Sequence, residues 1–229
     1  MNKQNEKIKR LVAVAMFSAL AFVTTVLCGY FPKVAGFLSL DFKDAIIVIC
    51  SLIFGPISGL VIAILVPVLE CFTISITGWY GLIMNVLSSA TFVLLVGCIY
   101  RYKRTLYGAI VSLLAGVFSV AAVMLFANLL ITPLYLTYMV GVPTTMSGVA
   151  EMIPTVLLPF NFIKATLNGA LVLLLYKPLS TVLKRTGFLK SSKSKDGQGT
   201  KRSIWRSVLV SAIAVGIIAL SLVIVFYVL

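Results

Sequence analysis

The chain contains no histidine and only six Asp and Glu residues among 229. Proton transfer and metal ligation draw mainly on those residue types, so an enzyme is poorly supplied and no metal site is expected. No G-x-x-x-x-G-K-[ST] loop occurs, which excludes a Walker-type ATP site and places the motor of any pumped transport on another chain. Cysteine is scarce too. Cys28, Cys50, Cys71 and Cys98 all fall in apolar stretches with no C-x-x-C pair, and they read as small core residues rather than a disulfide framework. Charged residues make up 11% against 61% hydrophobic, and the mean hydropathy is +1.12. So little polar surface cannot cover a water-soluble globule of this length, and lipid must be the solvent.

Several apolar runs reach the roughly 20 residues that a helix needs to cross a hydrocarbon core about 30 Å thick. Their continuity excludes the alternating pattern of a membrane barrel. The sequence therefore predicts an all-α, polytopic membrane protein. The basic start, Lys3, Lys7, Lys9 and Arg10, precedes an apolar run without a small-residue cleavage site, and so reads as the first permanent helix, over residues 11–31. A polar loop through Lys33, Asp41, Lys43 and Asp44 follows Pro32. The apolar block 45–73 is interrupted by Gly55 and Pro56, and proline favours the first position of a new helix, so two helices are predicted there. Further helices are expected at about residues 82–100, 106–131, ending before Pro133, and 153–175, carrying Pro154 and Pro159. These complete a six-helix domain over residues 1–188. A polar linker, 189–203, then leads to an additional transmembrane helix at 204–229. No internal repeat argues for an inverted-repeat transporter.

Net charge is +13, yet the 19 Lys and Arg are confined almost wholly to the segments between apolar runs, which speaks for topology and against nucleic acid. Basic residues accumulate on the cytoplasmic side. With two crossings in 45–73, 16 of them fall on one side, only Lys33 and Lys43 on the other, and Lys164 within a span. The N-terminus and the linker are thus expected in the cytoplasm.

Asn161, Lys164 and Asn168 follow an i, i+3, i+7 spacing that puts them on one face of the sixth helix. A lysine within a span is costly and by default functional. The blander alternative is that Lys164 snorkels to an interface or pairs with a carboxylate such as Glu151. Asn128 and Asn85 are further amides in apolar surroundings, able either to bond a neighbouring helix or to meet a ligand. The loop residues Leu40, Asp41 and Phe42, with Tyr80, could lid a flat molecule, while Trp79 reads first as an interfacial belt residue. Ala15 and Ala19 lie on a smooth stretch of the first helix that permits close helix approach. A proton-coupled secondary transporter, with Lys164 and Glu70 or Glu151 as a relay, is the competing reading.

The stretch Leu38 to Asp44, the turn Phe54 to Gly59, Asn128 ahead of Thr132 to Tyr135, and Leu158 to Lys164 followed by Asn168 together resemble one family. They are similar to the riboflavin-binding S components of bacterial energy-coupling factor (ECF) transporters, over about residues 8–188. The resemblance implies a six-helix vitamin-binding subunit of the bacterial cell membrane whose site opens outward beneath the first loop. It implies that Asn128, Asn161 and Lys164 hold the flavin, which is transported cargo and not a cofactor. Ala15 and Ala19 match the surface with which the family docks to its transmembrane coupling protein, and two ATPase subunits complete the assembly. The seventh span departs from the six-helix pattern.

Overall fold

The computed structural model describes residues 3–102, 104–185 and 200–227, and its regular elements are all helical. The helices are α1 (Lys3–Cys28), α2 (Lys43–Phe54), α3 (Pro56–Thr73), α4 (Gly78–Tyr102), α5 (Leu106–Tyr135), α6 (Met146–Met152), α7 (Leu158–Arg185) and α8 (Thr200–Tyr227). Five stretches, within 4–28, 56–73, 78–102, 106–140 and 146–176, are long and apolar enough to cross a membrane. Large apolar side chains such as Leu11, Phe72, Phe118 and Phe126 are exposed around the bundle, as a lipid-facing surface requires.

Several boundaries differ from expectation for local reasons. α1 ends at Cys28, before the expected residue 31, because Pro32 disfavours helical geometry at Phe31 and the chain leaves through a turn at residues 29–31. α5 is capped by the Thr105 hydroxyl, which accepts from the Gly108 amide, and it runs through Pro133 to Tyr135. The missing proline N–H costs one bond near the helix end, where the backbone widens into a π turn, Leu136–Val140, ending at Gly141 with φ of 79°. Pro154 likewise falls in a π turn, Ile153–Leu157, which takes the first residues of the expected sixth helix, so that α7 begins at Leu158 and the unexpected short α6 precedes the turn. Residues 189–199 of the expected linker lie outside the described residues, and α8 already begins at Thr200.

α2 and α3 form the expected hairpin about Gly55, whose φ of 99° suits glycine, with Pro56 opening α3. At that turn Arg10 donates to Ser58, so the hairpin tip and the start of α1 share one end of the bundle. α2 is central: residues 43–52 are all buried, and it packs against α1, α3, α4 and α7. Twelve residues rise only about 18 Å, too little for a crossing. The preceding segment, residues 29–42 (loop 1), therefore descends into the bundle and carries its charges with it. Asp41, Lys43 and Asp44 are buried, against the expectation of a solvated polar loop.

Hydrophobic burial does not drive helices together in lipid, so close contact relies on small residues. Gly59, Gly97 and Gly116 stand where α3, α4 and α5 cross, and a Cβ at Gly116 would lie 2.6 Å from Val96 and 2.7 Å from Phe92. α8 packs on α7. Its Ile218 and Leu222 rest against a cluster of Val34, Leu40, Phe160 and Leu167. Of the cysteines, Cys28 and Cys50 are buried as expected, but Cys98 is exposed on the outside of α4.

Candidate functional site: a polar cavity beneath loop 1

An open cavity of about 100 Å³ enters the bundle at the loop 1 end. α4 contributes Tyr80, Met84 and Asn85; α5 contributes Met124, Asn128, Ile131, Thr132 and Tyr135; α7 contributes Phe160, Asn161 and Lys164. The α5 residues recur at helical spacing, which aligns them on one face. Loop 1 closes the mouth with Phe37, Leu38 and Ser39. Reciprocal backbone bonds between Val34 and Leu38, at 2.9 and 3.0 Å, pinch that loop into a tight turn through Ala35 and Gly36, both with positive φ. Phe37 and Tyr80 approach the Tyr135 ring at centroid distances of 5.6 and 6.1 Å, making an aromatic rim.

Deeper in, Asn128, Asn161 and Lys164 are buried together. Asn128 donates to the Met124 carbonyl at 2.7 Å and accepts from Thr132 at 2.9 Å. Asn161 donates to the Leu157 carbonyl at 2.7 Å. Each carboxamide keeps a second N–H, and Asn161 keeps its carbonyl oxygen, for a molecule in the cavity. Lys164 donates to Asp41 Oδ2 at 2.8 Å. Lys164 and, farther off, Lys43 at 3.7 Å compensate the charge of the buried Asp41 carboxylate. Lys164 thus pairs directly with Asp41, and not with Glu151, which is exposed, or with Glu70.

The structure therefore brings Asn128, Asn161, Lys164, Asn85 and Tyr80 to one cavity. Leu40, Asp41 and Phe42 do not line it. Leu40 turns into the cluster beneath α8, Phe42 meets Phe31 at 6.0 Å, and Asp41 reaches the cavity only through Lys164. Phe37 to Ser39, which follow the turn at Ala35 and Gly36, lie over the cavity instead. Asn168 is a staple: its Oδ1 accepts from the Ala45 amide at 2.8 Å, and its Nδ2 donates to the carbonyls of Asp41 at 2.9 Å and Lys164 at 3.0 Å. Trp79 is exposed and edge-on to Phe72, as a belt residue would be. Ala15 and Ala19 face outward from α1, whereas Ala13, Phe17 and Ala21 face the bundle.

Sequence reading gave too little weight to Glu70 and Lys43. Lys43 Nζ lies 2.8 and 2.7 Å from the two Glu70 oxygens, and both side chains are buried. The signal was a carboxylate inside an apolar span, which needs a buried partner.

A membrane bundle with a polar cavity and an aromatic rim is suited to hold a small polar molecule. Residues 9–176 match the family described as ECF transporter, substrate-specific component. The chain is 30% identical over 182 residues to the riboflavin transporter RibU of Staphylococcus aureus (strain TCH60), covering 77% of this chain and 93% of that one. It is 30% identical over 178 residues to the riboflavin transporter FmnP of Bacillus subtilis (strain 168), covering 75% and 94%. A solved structure, described as the S component of a bacterial ECF transporter, superposes with a TM-score of 0.64 at 29% identity, covering 78% of this chain and 99% of that one. The chain belongs to the substrate-specific components of ECF transporters, a family of transport subunits and not of enzymes.

Proposed function

We propose that this chain captures riboflavin from outside the cell and delivers it inward with an ECF transmembrane coupling protein and two ATPase subunits. The observation that carries the reading is the convergence of Asn128, Asn161 and Lys164 on one aromatic-rimmed cavity. The pyrimidine edge of an isoalloxazine presents acceptor, donor, acceptor, and a carboxamide offers both a donor and an acceptor on one side chain. Lys164 keeps two N–H groups beyond the one on Asp41, enough for a ring carbonyl or N1. Met84, Met124 and Ile131 can take the dimethylbenzene end. The flavin is cargo, so no cofactor is invoked.

Charge asymmetry supports an orientation with the N-terminus in the cytoplasm and the loop 1 mouth outside. The exposed Ala15 and Ala19 offer a low surface for the coupling protein, whose ATPases supply what this chain lacks. α8 is read as an addition to the 1–188 binding domain. Purification tests the ligand: the protein should carry a flavin absorbance spectrum or bind added riboflavin at one equivalent. Failure of both would overturn the reading.

A further inference from the structure

The cavity's cation is the near end of a buried chain of charges that circles the site. Asn85 Nδ2 donates to Glu70 Oε2 at 3.1 Å, and Glu70 takes Lys43 on both oxygens. Lys43 Nζ lies 3.7 Å from Asp41 Oδ2, the same oxygen that holds Lys164. The chain thus runs from α4 through α3, α2 and loop 1 to α7, and both of its ends, Asn85 and Lys164, line the cavity. Its middle members, Glu70, Lys43 and Asp41, do not. Their signs alternate, so each charge is fixed by its neighbours, and loss of one leaves another buried and unpaired.

We propose that Lys43 and Glu70 are positioning residues for the ligand. Through Asp41 they aim the Lys164 ammonium, through Glu70 they orient the Asn85 amide, and they tie the base of loop 1 beneath its mouth. Neither touches the ligand. A ligand that ends in carbonyl acceptors gains from this because the donors it needs are already oriented, and little ordering remains for binding itself. The inference rests on the flavin reading above.

A buried ion pair that merely joins α2 to α3 would be equally visible in the structure, and a thermodynamic cycle separates the two roles. Lys43→Met with Glu70→Met removes both charges together and leaves no unpaired ion at that site. Riboflavin affinity of the full chain, read by quenching of flavin fluorescence, is compared with and without Lys164→Ala. Lys43 and Lys164 meet on Asp41, so their effects on stability are coupled in either case; the affinity of the folded fraction separates the roles, and a structural role gives it the same fold-loss in both backgrounds. Positioning predicts a loss of about tenfold from the paired replacement when Lys164 is present, and less than about threefold when it is absent. Equal losses in the two backgrounds, or no loss in either, would overturn the proposal. Should the paired variant fail to fold, Glu70→Gln, which keeps the shape and removes the charge, enters the same cycle with the same two outcomes. Absence of riboflavin binding by the unaltered protein is a different result: it would overturn the flavin reading first and the positioning role with it.

Discussion

Around the cavity at the loop 1 end, Asp41, Lys43, Glu70, Asn128, Asn161 and Lys164 are all buried, while toward the Gly55 turn the interior holds Phe92, Val93, Val96, Leu113 and Val117. The first region spends its interior on polar groups that need partners, some of which the chain supplies and some of which it leaves for a ligand. The second has small residues at its crossings and apolar side chains between them, and Tyr100 and Tyr176 join hydroxyls at 3.1 Å near its far end. A polar molecule entering at loop 1 therefore meets a floor of amides and then a wall. Binding and sealing are separate properties of separate regions, and substitutions should divide along the same line.

The largest expected effect is from Lys164→Ala, which leaves Asp41 buried with only the more distant Lys43. A stability loss of about 3 kcal/mol or more is expected, read as a lower thermal midpoint in detergent, together with weaker flavin binding. An unchanged midpoint would mean that Lys164 reaches the interface rather than Asp41. In the other region, Gly116→Leu should cost about 1–3 kcal/mol by driving a side chain into Phe92 and Val96. Protein that survives this change should still bind flavin near normally, and a selective loss of binding with full stability would erase the division between the regions.

Ala15→Trp or Ala19→Trp changes neither region. Uptake by cells should fall about tenfold or more while binding by purified protein stays within about twofold, because the bulk obstructs only an outward helix face. Equal loss of both would place α1 in the binding core. The smallest effect should follow removal of α8, for example in a chain ending at residue 188. That change bares Val34, Leu40, Phe160 and Leu167 to lipid, which is as apolar as the helix it replaces, so riboflavin affinity should stay within about threefold. A collapse of affinity would make α8 part of the site.

The apolar wall was the easier region to read from sequence. Continuous hydropathy located α1, α3, α4 and α5, and Gly55 with Pro56 marked the hairpin because glycine and proline act through local geometry. Lys164, Asn161 and Asn128 were legible because polar groups are conspicuous in apolar helices. Loop 1 was not. Its charges look solvated until Lys43 is matched with Glu70, 27 positions away, and Asn168 with Ala45, 123 positions away. Partners so distant leave no periodic trace. The direction in which Leu40 and Phe37 point depends on how the turn at Gly36 closes, and Pro133 sits inside α5 and Pro154 within a widened helical turn, where a clean break is the usual expectation.

The most direct test of the binding floor is a riboflavin titration of the purified protein beside one carrying both Asn128→Ala and Asn161→Ala, followed by flavin fluorescence. Saturation at one equivalent is expected for the unaltered chain, with affinity at least about a hundredfold lower in the double variant, since two buried amide contacts are lost. Equal affinity in the two proteins, at equal stability, would contradict a flavin held by these amides.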